Sequence, residues 1–276
     1  MPRFGRQDTC PTIAFLKLGG SLITDKTREA TARPEVIRRL AREVRAALTA
    51  RPEMRLVLGH GSGSFGHVLA HRYHLHTGCA DWWGYAATGA IAARLNRLVT
   101  DTFLEEGVPV VSLQPSASAR SQGGKLIEMA VAPIQAALDH GLTPLVYGDV
   151  SFDETQGSTI ISTEQLFFHL TKWLSPSRII LAGEVEGVFT SDPLRDPAAR
   201  LISDISRDNI ETVKQMLSGS FAVDVTGGML SKVLTMYDLL REHPALTIQI
   251  VSGRVPGVVQ RALLGGEPAE GTLLHL

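Results

Sequence analysis

Three lysines stand beside glycine clusters. Lys17 sits in Lys17-Leu18-Gly19-Gly20-Ser21, with Thr24, Asp25 and Lys26 close behind, and Lys232 follows Asp224-Val225-Thr226-Gly227-Gly228-Met229 by one short turn. Glycines after a strand let the backbone turn tightly and bring several N–H groups to bear on one anion, and a flanking lysine adds a point charge. A denser run, Gly59-His60-Gly61-Ser62-Gly63-Ser64-Phe65-Gly66-His67, leads into a helix through His71. Helix N-terminal N–H groups and the helix dipole favour a phosphate there. A fourth stretch, Ala182-Gly183-Glu184-Val185-Glu186-Gly187 through Asp192-Pro193, suits a loop around a nucleotide base and ribose, or a plain surface turn. Together the clusters describe a site that grips several phosphates at once.

Competing chemistries fit less well. No Gly-x-x-x-x-Gly-Lys-Ser/Thr is present, so this is not a Walker loop. Gly61, Gly63 and Gly66 have the dinucleotide spacing, but they follow the second strand and no acidic residue ends a strand about 20 residues on. His60, His67, His71, His74 and His76 fall together, and His67 with His71 has the spacing of a helical metal pair. Without a cysteine pair or a third ligand in a signature, zinc is the weaker reading. Peptidase-type orders of Ser, His and Asp are absent as well.

Composition narrows the partners. Lys plus Arg is 27 against 28 Asp plus Glu in 276 residues, a net charge of −1, which argues against a protein that holds nucleic acid by bulk charge. Two cysteines, Cys10 and Cys79, cannot build a disulfide framework, so a reducing, cytoplasmic setting is expected. The apolar run after Pro11 breaks at Lys17, and no stretch approaches the ~18 apolar residues of a membrane span, so neither export nor a membrane partner is expected.

The elements that must carry these loops alternate between short apolar runs and longer amphipathic ones, the pattern of a largely parallel open sheet covered by helices. Strands are predicted at Ile13–Leu18, Arg55–Leu58, Val108–Leu113, Thr143–Tyr147, Arg178–Ala182 and Thr247–Val251. The clearest helix starts at Pro34 and puts Ile37, Leu40, Val44, Ala47 and Leu48 on one stripe, with Arg38, Arg42 and Arg45 facing out. Further helices are predicted over Tyr85–Glu105, Thr163–Leu174, Asn209–Leu217 and Met229–Arg241, and hairpins or loops over Ser116–Gly124 and Asp153–Ser158. The length allows one large domain or two joined lobes, with the change of lobe in Ala182–Asp192.

The motifs resemble the amino acid kinase superfamily, and within it the isopentenyl phosphate kinase family. The resemblance rests on Leu16-Lys17-Leu18-Gly19-Gly20-Ser21-Leu22-Ile23-Thr24-Asp25-Lys26, Gly61-Ser62-Gly63-Ser64-Phe65-Gly66-His67, Ser112-Leu113-Gln114-Pro115-Ser116, Tyr147-Gly148-Asp149-Val150, Asp224-Val225-Thr226-Gly227-Gly228-Met229 and Arg261-Ala262-Leu263-Leu264-Gly265. The segments occur in the family order across nearly the whole chain, and the Ser-Phe-Gly-His run is the sharpest of them. This implies a three-layer αβα sandwich in one amino acid kinase-like domain, with an acceptor-phosphate lobe over about 1–182 and an ATP lobe over about 183–276.

The activity implied is transfer of the γ-phosphoryl group of ATP to isopentenyl phosphate, with Mg²⁺, in an isoprenoid (mevalonate-type) pathway, by a homodimer. The acceptor oxygen is already ionised near neutral pH, so no general base is required. Carried residue by residue, the resemblance implies catalytic roles for Lys17, Lys26, His67 and Lys232, with His67 on the acceptor phosphate. ATP contacts would come from Lys17, Gly19, Gly20, Ser21, Gly183 and Glu184, and from Gly187, Asp192, Gly227, Gly228 and Lys232. Acceptor contacts would come from Gly61, Ser62, Gly63, Gly66 and His67, and from Tyr85, Gly148, Asp149, Val150 and Ile160. Asp149 is open to orienting Lys17, to Mg²⁺ through water, or to a plain hairpin turn, and no direct protein ligand to the metal is implied. Trp82, Trp83, Tyr85 and Ile91, faced by Val150, Ile160 and Ile161, would wall the pocket for the apolar tail. Two positions depart from the family pattern: Ser162-Thr163-Glu164-Gln165 replaces Ser-Gly-Asp-Gln, and Gly183-Glu184-Val185-Glu186-Gly187 replaces Thr-Asp-Val-Asp-Gly. Alternatives are a superfamily kinase for another small phosphate or phosphonate, and a nucleotide-binding storage or regulatory protein without turnover.

Overall fold

The computed structural model describes residues 12–73, 75, 78, 81–193, 195–218, 228–266 and 270–276, without the side chains of residues 67, 68, 70 and 71. Strand β1 (Ile13–Leu18) runs into the four-residue helix α1 (Gly20–Ile23), then α2 (Pro34–Ala50) and β2 (Arg55–His60). Helices α3 (Gly63–Arg72) and α4 (Trp82–Glu105) lead to β3 (Val110–Ser112). A 3-10 turn at Pro115–Ala117 precedes the hairpin of β4 (Arg120–Gln122) and β5 (Lys125–Glu128), followed by α5 (Ala132–Asp139) and β6 (Thr143–Tyr147). The hairpin of β7 (Asp149–Asp153) and β8 (Gly157–Ile161) comes next, then α6 (Thr163–Leu174) and β9 (Arg178–Gly183). Short strands β10 (Val188–Phe189), β11 (Leu201–Ile202) and β12 (Asp204–Ile205) follow. The chain closes through α7 (Ile210–Ser218), α8 (Gly228–Glu242), β13 (Thr247–Ser252), α9 (Val258–Leu264) and β14 (Thr272–Leu274).

Eight strands form the main sheet in the order β12-β14-β13-β9-β1-β2-β6-β3. All neighbours pair parallel except β13 and β14. Side chains alternate between its two faces, as a strand's period of two requires. Ala14, Leu16 and Leu18 of β1, with Leu56 and Leu58 of β2, pack toward α1, α2, α4 and α9. Phe15 and Val57 point the other way, into a second core with Phe167 of α6, Val213 of α7 and Met236 of α8. Apolar surface is thus removed from water on both faces, and the result is the expected three-layer αβα arrangement.

Local chemistry sets the boundaries. Pro34 starts α2, whose Ile37, Leu40, Val44 and Ala47 are buried while Arg38, Arg42 and Arg45 are exposed, as predicted. Helix α4 starts three residues earlier than predicted, because the Asp81 carboxylate accepts from Trp83 N (2.9 Å) and Gly84 N (3.4 Å) and caps it. Strand β3 begins only at Val110, since Pro109 has no N–H to give a ladder. Helices α1, α5 and α9 were not read from the pattern, being too short for periodicity to speak. Glu43, on the buried side of α2, caps α9 by accepting from Val259 N (3.1 Å) and Gln260 N (3.3 Å). Among the described residues no helix is long and apolar enough to cross a membrane.

A separate four-stranded sheet, β5-β4-β7-β8, stands at the end where β6 passes into β7. Its turns are tied by Asp153, which accepts from Gly123 N (3.0 Å), Gly124 N (2.7 Å), Thr155 N (2.9 Å) and Gln156 N (3.1 Å). Asp153→Ala is expected to lower stability by about 1–3 kcal/mol, since those donors lose a charged acceptor. Thermal melting checks this, with hydrogen exchange expected to quicken in the two turns before the main sheet opens; an unchanged melt would show that water replaces the carboxylate without cost.

Candidate active site

The sheet register brings the loops together. Leu18 is level with His60 and Ala182, His60 with Tyr147, and Gly183 with Ser252. The next backbone N–H groups extend the ladder by one bond: Gly19 N to Ala182 O (2.8 Å), Gly61 N to Leu18 O (3.0 Å), Gly148 N to His60 O (3.0 Å) and Gly253 N to Gly183 O (2.8 Å). The chain then turns away at the carboxyl edge of a parallel sheet, where ligands of such sheets bind.

Two of these loops touch backbone to backbone. A Cβ on Gly20 would lie 2.7 Å from Gly63 Cα, and one on Gly63, whose φ is +50°, would lie 2.5 Å from Gly20 O. Only glycine fits at either place. Thr24 bolts the contact, donating from Oγ1 to Gly20 O (2.7 Å) and accepting from Ser64 N (3.0 Å). Among the described residues, the N–H groups of Gly20, Ser21, Ser62 and Gly63 meet no acceptor, so the seam carries a row of unpaired donors. Gly66 packs on Ser62, its added Cβ falling 2.7 Å from Ser62 Cβ.

Beside that row, Lys17 makes an ion pair with Glu164 in the first turn of α6, and the two side chains are only 13% and 12% exposed. Burial pushes the Glu164 carboxyl up, but the charges of Lys17 and Lys232 outweigh it and hold it down to about 2. Lys17, Lys232 and Glu164 therefore converge, although the two lysines come from β1 and α8. Ser162 caps α6 by accepting from Gln165 N (3.2 Å), and Thr163 Oγ1 donates to His60 O (2.7 Å). The motif departure at Glu164 thus falls on the residue that pairs with Lys17.

Asp149 does not orient Lys17, which Glu164 holds instead. Buried at the start of β7, it accepts from Ser116 N (3.1 Å) and Val150 N (2.9 Å), and burial pushes its carboxyl up despite those bonds. Tyr85 lies near it: burial first, then the Asp149 charge, pushes the phenol up to about 12. The Tyr85 hydroxyl and Thr88 Oγ1, one helical turn apart on α4, are buried without a hydrogen-bond partner. Val150 faces Gly89 of α4, whose Cβ would lie 3.1 Å from Val150 Cγ2, and pairs in register with Ile160. Tyr85 stacks on Phe152 (4.8 Å) and meets Trp82 edge-on (5.8 Å). Three expected wall residues belong elsewhere. Trp83 is 75% exposed, Ile91 packs on the core beneath α2 and α4, and Ile161 is buried with Leu166 and Phe167.

On the β9 side, a Cβ on Gly183 would meet nothing within 4 Å, so that loop has open space above it. Glu184 accepts from Arg33 Nη1 (2.9 Å), which also donates to Ser21 O (3.2 Å), and Arg254 stands 3.8 Å away. Gly187 is buried against Thr272, and the Asp192 carbonyl caps a turn through Arg195 N and Asp196 N. Lys26 is exposed on the loop after α1 and is not among the cations acting on Glu164. Gly228 opens α8 at φ +63°. Gly227 lies outside the described residues, as does the side chain of His67, a residue of α3.

Adjacent lysines on a buried carboxylate, next to unpaired backbone donors, are equipped to hold and neutralise phosphates. The sequence pattern of the amino acid kinase family matches residues 12–252, and the chain belongs to that family. Its relatives in the family include isopentenyl phosphate kinases. That of Methanothermobacter thermautotrophicus is 37% identical over 264 residues, covering 92% of this chain and 96% of the relative. That of Methanocaldococcus jannaschii is 31% identical over 269 residues, covering 94% and 97%. An X-ray structure of an isopentenyl phosphate kinase superposes with a TM-score of 0.81 at 34% identity, covering 95% of this chain and 99% of the other.

Proposed function

We propose that the protein is a phosphotransferase that moves the γ-phosphoryl group of ATP to isopentenyl phosphate, giving isopentenyl diphosphate and ADP. The observation that carries the chemistry is the convergence of Lys17 and Lys232 on Glu164 beside the unpaired N–H groups of the glycine seam. Membership in the family, with isopentenyl phosphate kinases as relatives over nearly the whole chain, supports the acceptor.

A non-bridging oxygen of the acceptor phosphate attacks the γ-phosphorus, the bond from that phosphorus to the β–γ bridging oxygen breaks, and ADP leaves with the electron pair. The acceptor oxygen is ionised before it arrives, so the protein's task is to align two anions and to neutralise charge on the transferred group. Lys17 reaches the acceptor and the transferred phosphoryl. Lys232 reaches the ATP phosphates from α8, Lys26 from the loop after α1, and His67 donates to the acceptor phosphate from α3. Gly19, Gly20, Ser21, Gly183, Glu184, Gly187, Asp192, Gly227 and Gly228 serve the nucleotide. Gly61, Ser62, Gly63, Gly66, Gly148 and Asp149 serve the acceptor phosphate, with Tyr85, Val150 and Ile160 along its tail.

Among the described residues no three His, Cys, Asp or Glu side chains gather as a metal cage, and Glu164 is bonded to Lys17. In this reading Mg²⁺ would arrive on the phosphates of ATP, and Lys17, Lys232 and the unpaired N–H groups of the seam would take up the phosphate charge beside it. When bound, that ion neutralises phosphate charge.

The same reading divides the chain into an acceptor lobe before about residue 183 and a nucleotide lobe after it. Strands β12, β14 and β13, all from the second part, lie side by side on one flank of the sheet, which supports the division. It also includes a cytoplasmic homodimer serving isoprenoid synthesis. The deciding assay offers ATP and Mg²⁺ with isopentenyl phosphate, other small phosphates, phosphonates and carboxylates, and follows the products by ³¹P NMR. Isopentenyl phosphate should be turned over most efficiently; negligible turnover of it beside efficient use of another acceptor would sink the reading, and ATP binding without any transfer would return the protein to a non-catalytic role.

A further inference from the structure

His60 ends β2 directly beneath the glycine seam and is fully buried. Its ring stacks on Tyr147, 5.5 Å between centroids and 7° from parallel. Nδ1 lies 3.1 Å from Gly61 O, and Nε2 lies 3.2 Å from the Asn96 side-chain amide, whose far end meets Ser112 Oγ at 2.5 Å. Its backbone carbonyl takes both Gly148 N and Thr163 Oγ1, so β2, the β6–β7 turn and the start of α6 all meet at this one residue.

Burial above all, with the Lys17 charge adding to it, lowers the ring to about 4, so it is neutral at physiological pH and carries a single N–H. The Gly61 carbonyl can only accept, which puts that proton on Nδ1. Nε2 must then accept, and the Asn96 amide serves it through its NH₂ once its two ends exchange, leaving its oxygen to the Ser112 hydroxyl. Both ring nitrogens, the Asn96 oxygen and the Ser112 hydroxyl then each have a complementary partner.

We propose that His60 is a positioning residue for the acceptor phosphate: its Nδ1–H holds the Gly61 carbonyl and thereby turns the Ser62 N–H toward the anion. A trans peptide is planar with its C=O and N–H opposed, so fixing the Gly61 oxygen toward the ring fixes the Ser62 hydrogen away from it. Ser62 N is one of the unpaired donors, and it faces the Gly148 turn, where an added Cβ would stand 3.8 Å from it. His60 therefore acts through the backbone and never touches the ligand. The inference rests on the acceptor reading above.

Two variants separate positioning from packing. His60→Asn keeps a nitrogen near the Nδ1 place and so keeps the donor to Gly61, whereas His60→Gln keeps one near the Nε2 place and loses it. The Gln variant should raise the KM for isopentenyl phosphate by about 10–100-fold with the KM for ATP nearly unchanged, the effect of one misaligned hydrogen bond to a charged group. The Asn variant should stay within about threefold of the parent protein. Equal losses in both variants, or unchanged acceptor kinetics in Gln, would overturn the proposal. In the unaltered protein, ¹⁵N-histidine NMR should find His60 protonated at Nδ1 and bare at Nε2 across neutral pH; the opposite tautomer would overturn it without any variant. Absence of isopentenyl phosphate turnover in the unaltered protein would instead overturn the acceptor reading, and this inference with it.

Discussion

Lys17→Ala should lower phosphoryl transfer by at least about 10²–10³-fold while the protein keeps its fold, the scale expected when one donor to a developing anion is removed. Lys17 leaves β1 level with Gly59 and Leu181, with strands paired on both sides, so its ammonium is delivered from the middle of the sheet. Lys232 acts on the same carboxylate but comes from α8, so it does not occupy the place at the end of β1 that Lys17 leaves. Stability should fall by only about 1–3 kcal/mol, because Lys232 still acts on Glu164 and that carboxyl can regain its proton. Initial rates on isopentenyl phosphate, set beside circular dichroism, check both halves. Rates near those of the unaltered protein would reduce Lys17 to a buried partner of Glu164, and loss of the native spectrum would make it structural.

Glu164→Gln should be the more informative variant, because it keeps shape and removes charge. With its anchor gone, the Lys17 ammonium samples more rotamers and the two lysines repel without relief, so kcat should fall by about 10–100-fold. A second effect appears in acid. The folded Glu164 pKa of about 2 lies below the ordinary glutamate value of 4.5, so the unfolded chain binds the proton more tightly. The stabilisation is therefore complete above about pH 4.5 and drains away as the pH falls toward 2, an amount on the order of 3 kcal/mol. The variant should lose that limb of the pH–stability curve; melts between pH 2 and 5 that run parallel for both proteins would mean that Lys17 does not hold the carboxylate ionised.

Much of this site is legible in the amino-acid sequence. The strands ending at Leu18 and Tyr147, and β9 to within one residue of its end at Gly183, are legible because buried parallel strands are continuous apolar runs, and the glycines at their ends mark where the backbone leaves the sheet. Lys17 was legible for the same reason, being a charge placed at the end of such a run. Glu164 was visible as a residue but not as the partner of Lys17, since that pairing spans β1 and α6 and depends on a register no local pattern encodes. Asp149 looked equally suited to the task and sits instead on two backbone N–H groups. Nor could the sequence tell that Trp83 points to solvent while Trp82 joins Tyr85 and Phe152, because neighbours on a helix differ by 100° in direction and only the packing of α4 decides which one faces in. His60 was one histidine among five, and its burial is a property of the sheet above it.

The contact of Gly20 with Gly63 is backbone against backbone, and the one side chain bridging it, Thr24, is itself held by Gly20 O and Ser64 N. Two anions resting on either side of this seam would be separated by a length written into covalent bonds and van der Waals radii, whatever the lobes do. The seam is then a gauge. A reactant whose phosphate stops an ångström short cannot be met halfway, so selection among acceptors would act on reach before it acts on chemistry, and freedom to admit ligands would have to lie across the open side, above Gly183.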